Sequence, residues 1–134
     1  VAGGSAEGLF LSPTVLSGVK KGISAFDEEI FGPVAVVVPF GSDDEAVALA
    51  NDTEYGLSAA VITPDIGRGM AIGNRLHAGL VHINDQTVND DVVNPFGGVG
   101  ASGNGTSIGG PANWEEFTHW QWMTVKAEAP AYPF

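Results

Sequence analysis

The sequence predicts an α/β fold, a parallel sheet with helical crossovers followed by one further strand near the chain's end. Three observations predict it. Val34–Phe40 is a nearly unbroken β-branched and apolar run, which suits a strand covered on both faces. Ser42-Asp43-Asp44-Glu45 has the form of a capping box, with serine at the cap and glutamate three residues on. Strand and helix signals then alternate to Asn84, and neighbouring parallel strands need such crossovers.

Each element has its own signal. Residues 1–8 are small and Gly-rich, and are expected to be loose. Leu9–Leu16 suits a short extended piece, kept at an edge or end by Pro13. The capped helix should run to about Asn51 and bury Ala46, Val47, Leu49 and Ala50; its two aspartates lie where the helix dipole favours negative charge. Leu57–Thr63 is a second apolar strand. Pro64-Asp65 introduces a second helix, Ile66 to about His77, with Gly79 as its stop signal. Gly67, Gly69 and Gly73 weaken that helix by up to about 1 kcal/mol each, and close packing on a sheet would explain them. Leu80–Asn84 is a third strand. Asp85–Asn94 is a polar, acidic loop leaving its carboxyl end, where open α/β sheets place ligands. After Pro95-Phe96-Gly97-Gly98 and a Gly-rich stretch to Gly110, a short helix fits Pro111–Thr118. Trp120–Lys126 has the pattern of a last strand, and the tail Ala127–Phe134 should be extended.

Composition narrows the function. The 134 residues suit one domain and can bury roughly two-thirds of their unfolded surface. A formal charge of −11 repels phosphate backbones and argues against a nucleic-acid partner. No stretch approaches the roughly 20 apolar residues of a membrane span. The first residues lack both a secretory leader and an initiator methionine, which fits a fragment or a processed chain. The absence of cysteine excludes disulfides and thiolate metal sites, and favours the cytoplasm. His77, His82 and His119 lack metal-ligand spacing, so no metal is expected. Gly98-Val99-Gly100-Ala101-Ser102-Gly103 matches the dinucleotide fingerprint, but no strand precedes it and no helix clearly follows; a glycine-lined loop is the better reading. Ser5, Ser102 and Ser107 show no nucleophile elbow.

The densest chemistry lies in Asp27-Glu28-Glu29-Ile30-Phe31-Gly32-Pro33. An ionised glutamate can accept hydrogen bonds from both hydroxyls of a ribose. In an extended segment Phe31 shares a side with Glu29, which suits a sugar beside a flat ring. Spacing alone favours the plainer reading, a surface carboxylate and a core phenylalanine.

This motif occurs with the capped helix, Asn51-Asp52-Thr53-Glu54-Tyr55-Gly56-Leu57, Ala78-Gly79-Leu80-Val81-His82-Ile83-Asn84 and Pro95-Phe96-Gly97-Gly98. In that order and spacing they resemble the aldehyde dehydrogenase superfamily, from about Gly8 to about Lys126. The resemblance implies that Glu29 holds the nicotinamide ribose of NAD or NADP, that Phe31 packs on the nicotinamide, and that Phe96 walls the aldehyde pocket. It implies that Asp85–Asn94 shapes aldehyde access, and that Trp120–Lys126 pairs with another subunit in a homo-oligomer. Residues 1–118 would be part of a catalytic domain, its C-terminal portion, and 119–134 an oligomerisation strand and tail. The family's nucleophilic cysteine and separate general base have no counterpart here, so no catalytic residue is assigned and the chain alone is expected to be inactive. Two departures stand out: Gly100 where the family commonly has lysine, and Thr106-Ser107 where it commonly has Arg-Glu. The run Val99–Gly105 and the Trp-Gln-Trp ending resemble the subgroup acting on benzaldehyde, salicylaldehyde or vanillin. The competing readings are a non-catalytic α/β binding or assembly module and a self-contained hydrolase or isomerase.

Overall fold

Parallel pairing is the organising feature of the computed structural model, which describes residues 2–132. Thr14–Ser17 (β3) pairs in parallel with Val34–Val37 (β4), and Ser58–Val61 (β5) with Leu80–Ile83 (β6). A small antiparallel hairpin, Ala6–Glu7 (β1) with Phe10–Leu11 (β2), precedes them. The helices are Ser24–Asp27 (α1), Asp43–Asn51 (α2), Ile66–Gly73 (α3) and Ala112–Phe117 (α4). The class is α/β, as the sequence predicts.

The single sheet expected from the element order is instead three two-stranded sheets, because β4 and β5 do not pair. Alternating elements predict that parallel pairs form; they do not say which strand each one joins. Val34–Phe40 also differs from expectation. Only Val34–Val37 is strand, and its residues alternate half-buried and exposed, so one face is covered. Residues 2–8 are not loose. Ala2 bridges to Val15, and buried Thr14 takes a hydrogen bond from Gly4 N while donating to the Ser12 carbonyl. Ser12-Pro13 splits Leu9–Leu16 into two strands. Trp120–Lys126 forms no ladder among the described residues, and Trp120 and Trp122 are more than nine-tenths exposed. A strand needs a partner, and the described residues supply none for that segment.

Helix α2 starts as its sequence demands. Ser42 Oγ accepts from Glu45 N at 3.2 Å, and Glu45 Oε2 takes the Gly41 N–H at 2.7 Å, one residue before the cap. Val47 is buried, Ala46 and Leu49 are half-buried, and Ala50 is exposed, contrary to expectation. Asp65 caps α3 through Arg68 N at 3.0 Å. This helix ends at Gly73, before the expected His77, and packs on β5 and β6. A Cβ on Gly69 would lie 2.8 Å from Ile83 Cγ2, and one on Gly73 3.1 Å from Ile83 Cδ1. Close packing therefore explains these two glycines but not Gly67, which is exposed.

The chain exposes 10456 Å². A compact protein of 13.8 kDa would expose about 6,600 Å², and its unfolded chain about 20,000 Å². About half of the unfolded surface is buried, not two-thirds. The reason is architectural: two-stranded sheets under a few short helices leave most faces uncovered.

Candidate functional site

The site is built around the turn into β5. Gly56 is buried, and its carbonyl accepts from Val99 N at 2.9 Å and Gly79 N at 3.1 Å. Its own N–H donates to Ser102 Oγ at 3.1 Å. Ala101 N donates to the Glu54 carbonyl at 2.8 Å. These bonds tie the Gly-rich stretch to both the Asn51–Leu57 segment and the turn before β6. Glycine is required because the backbones touch: a Cβ on Gly103 would lie 1.8 Å from the Gly98 carbonyl oxygen. The fingerprint-like run is thus a packing loop. Its Val99, Ala101, Ser102 and Gly103 N–H groups all donate to backbone carbonyls, so they cannot cradle a phosphate.

Glu29 lies in the irregular segment between α1 and β4. With Phe26, Asn51, Tyr55 and Ser102 it lines a cleft of about 290 Å³. Among the described residues its carboxylate makes no hydrogen bond or ion pair. Phe31, 91% exposed, is not on this cleft. The segment is anchored through Asp27. Asp27 Oδ2 accepts from Gly22 N at 2.9 Å; Oδ1 is shielded from solvent, makes no hydrogen bond, and faces the Lys21 ammonium at 3.3 Å. Lys21 also reaches Asp52 Oδ1 at 2.8 Å and sits 5.6 Å from the Phe26 ring centre. The hydrogen bond to Asp52 first, and the Asp27 charge beside it, raise the Lys21 pKa. Asn51 completes the wall: its amide donates to the Arg75 carbonyl at 2.8 Å, and its Oδ1 accepts from His77 N at 2.9 Å.

Phe96 belongs to different hollows. It exchanges backbone hydrogen bonds with Ile108 at 2.6 and 2.9 Å. One hollow beside it, about 290 Å³, is lined by Leu80, His82, Asn89 and Asp91. Another, of about 450 Å³, runs along the glycine loop. Asp85–Asn94 leaves β6 as expected. Asn84 makes the exit with φ of 59° and accepts the Thr63 N–H at 2.7 Å. Asp85 then accepts from Gln86 N at 2.8 Å and Asn89 Nδ2 at 2.5 Å, and these bonds lower its pKa, the Gln86 bond most.

The three predicted site residues therefore take three settings: Glu29 on one cleft, Phe96 on two others, Phe31 on an open surface. The sequence reading missed Lys21, Asn51, Asn84 and Ser102. Asn51 and Asn84 had a signal, since each is an asparagine at an element's end, where amides cap backbone groups. Ser102 had little, being one serine among glycines.

With this geometry in view, known proteins are informative. Residues 1–123 match the profile of the Aldehyde dehydrogenase family, and the chain belongs to that family. It is 51% identical to vanillin dehydrogenase of Amycolatopsis sp., with 99% of this chain and 28% of that protein aligned. It is 46% identical to benzaldehyde dehydrogenase [NAD(+)] of Pseudomonas putida, covering 100% of this chain and 28% of the relative. The fold superposes on a salicylaldehyde dehydrogenase from Pseudomonas putida G7 complexed with salicylaldehyde, with a TM-score of 0.87 and 39% identity over all of this chain and 28% of that one. A Mycobacterium tuberculosis aldehyde dehydrogenase complexed with NAD+ gives a TM-score of 0.80 and 38% identity over 89% of this chain and 25% of that one. The chain spans little more than a quarter of the length of these relatives.

Proposed function

We propose that this chain is the C-terminal portion of an NAD(P)-dependent aldehyde dehydrogenase that oxidises an aromatic aldehyde to the carboxylic acid. The supporting observation is the Glu29 carboxylate, on a cleft rim and without a protein partner among the described residues, in a chain 51% identical to a vanillin dehydrogenase. An unpaired carboxylate has acceptor capacity for two sugar hydroxyls. Glu29 holds the nicotinamide ribose, and exposed Phe31 is available to the nicotinamide face. When bound, the dinucleotide supplies the hydride acceptor; this chain supplies orientation, to which such transfers are sensitive. Phe96, fixed by its bridge to Ile108, forms one wall for the aldehyde's ring. Nucleophile and general base come from residues outside this sequence, so Glu29 is a cofactor ligand and not the base. Trp120–Lys126 pairs with a second copy in a cytoplasmic homo-oligomer.

The test compares the pure chain with the full-length enzyme, using benzaldehyde, salicylaldehyde and vanillin and following reduced nicotinamide. Only the full-length enzyme should turn over. Nicotinamide reduction by the chain alone, or a full-length enzyme inert toward all three aldehydes, would overturn the reading.

A further inference from the structure

Two residues, Leu57 and Ser102, line both the cleft that carries Glu29 and the hollow beside Phe96 and the glycine loop. They form the partition between the two. Ser102 ends a single 3-10 turn, Gly100–Ser102, and is half-buried. Its hydroxyl is the acceptor for Gly56 N–H at 3.1 Å, and Gly56 in turn gathers Val99 and Gly79 onto its carbonyl. The junction is closely packed: a Cβ on Gly56 would come within 2.5 Å of Val99 Cγ2 and 2.8 Å of the His77 carbonyl oxygen. Removing the hydroxyl leaves a buried N–H without its acceptor and loosens the glycine loop, which then keeps, among the described residues, only the Val99–Gly56 and Ala101–Glu54 backbone bonds to this turn. Phe96 stands at the start of that loop. The segment leading into Glu29 is tied separately, through the Lys21, Asp27 and Asp52 charges.

We infer that Ser102 is a positioning residue that fixes the Phe96 wall against the turn into β5, and so sets affinity for the aldehyde more than for the cofactor. The inference rests on the proposed roles of Phe96 and Glu29. Its test is steady-state kinetics of the full-length enzyme with Ser102→Ala and Ser102→Cys, the second keeping the packing volume while weakening the acceptor. Ser102→Ala should raise the aldehyde KM about five-fold, the worth of one ordinary hydrogen bond. The cofactor KM, whose cleft Ser102 also lines, should rise clearly less than the aldehyde KM. Ser102→Cys should move the aldehyde KM in the same direction, which keeps the test decisive if the alanine variant does not fold. Hydrogen exchange at the Gly56 amide should quicken in either variant. An unchanged aldehyde KM, or equal rises in both KM values, overturns the inference. Glu29→Gln in the same enzyme separates the levels. If that variant leaves cofactor use intact, the underlying reading fails; if it weakens cofactor use while the Ser102 variants keep the normal aldehyde KM, only the positioning role fails.

Discussion

Gly79 meets Gly97 with no room for a side chain: a Cβ on Gly79 would lie 1.7 Å from the Gly97 carbonyl oxygen. The contact locks the turn before β6 to the segment carrying Phe96. It also shows why some glycines here are irreplaceable and others are not.

Helix α3 offers the cleanest contrast. Gly69→Ala drives a methyl group toward Ile83 Cγ2 at 2.8 Å and Thr63 Cγ2 at 3.0 Å. Overpacking of that kind costs roughly 1–3 kcal/mol, more than the gain in helix propensity of up to about 1. Gly67→Ala meets only Asp65 Oδ1 at 3.3 Å and should be neutral or stabilising. Denaturation midpoints of the full-length enzyme should rank Gly67→Ala above wild type or equal to it, and Gly69→Ala clearly below. A reversed order would contradict the packing described for this helix.

Acid sensitivity should carry a trace of the Arg68–Asp43 pair. The hydrogen bond from Arg68 lowers the Asp43 pKa below the ordinary carboxylate value. A carboxylate with a depressed folded pKa stabilises the protein above its unfolded pKa, and that contribution fades as pH falls through the folded one. Arg68 is exposed and Asp43 only half-buried, so the effect on stability is small. Carboxyl NMR titration should place the Asp43 midpoint below the ordinary value, and Arg68→Gln should move it up. An Asp43 midpoint indifferent to Arg68→Gln would refute the assigned cause.

Cofactor use should depend on charge at position 29. In the full-length enzyme Glu29→Gln replaces a charged hydrogen bond worth roughly 1.5–3 kcal/mol, so cofactor affinity or cofactor-dependent turnover should fall about ten-fold or more. Isothermal titration and initial rates would measure it. Wild-type values for both would remove Glu29 from the cofactor site.

The segment Trp120–Lys126, without a ladder among the described residues, should bring copies together. Trp120, Trp122 and Val125 are 95%, 92% and 85% exposed, and an apolar strand with a free edge is an association hazard. Light scattering of the isolated chain should show mass rising with concentration, and Gln121→Pro, which removes a ladder donor, should reduce it. A strictly monomeric mass at every concentration would argue against this edge.

Local signals in the sequence carried well into the structure. The Ser42 cap, the Asp65 start and the apolar cores of β5 and β6 each depend on neighbours within a few residues, and each is where the sequence places it. What depends on distant partners was not legible. Gly79 resembles a helix stop, yet its role is contact with Gly97, eighteen positions along the chain by their numbers. The alternation in Val34–Val37 reflects which face finds a neighbour, and a run of valines looks alike on either face. For the site, the motif places Glu29 beside an open cleft, but nothing in its spacing reveals that Lys21 and Asp52 secure the preceding residues, or that Ser102 closes the junction at Gly56. Those links join segments 31 and 46 positions apart.

The central claim is that the side chains at 29 and 31 receive the dinucleotide. A structure of the full-length enzyme with NAD bound tests it most directly. The account predicts Glu29 oxygens within about 3 Å of the nicotinamide ribose hydroxyls, a normal hydrogen-bond length, with the Phe31 ring against the nicotinamide. A ribose held by other residues, with Glu29 left in solvent, would contradict it.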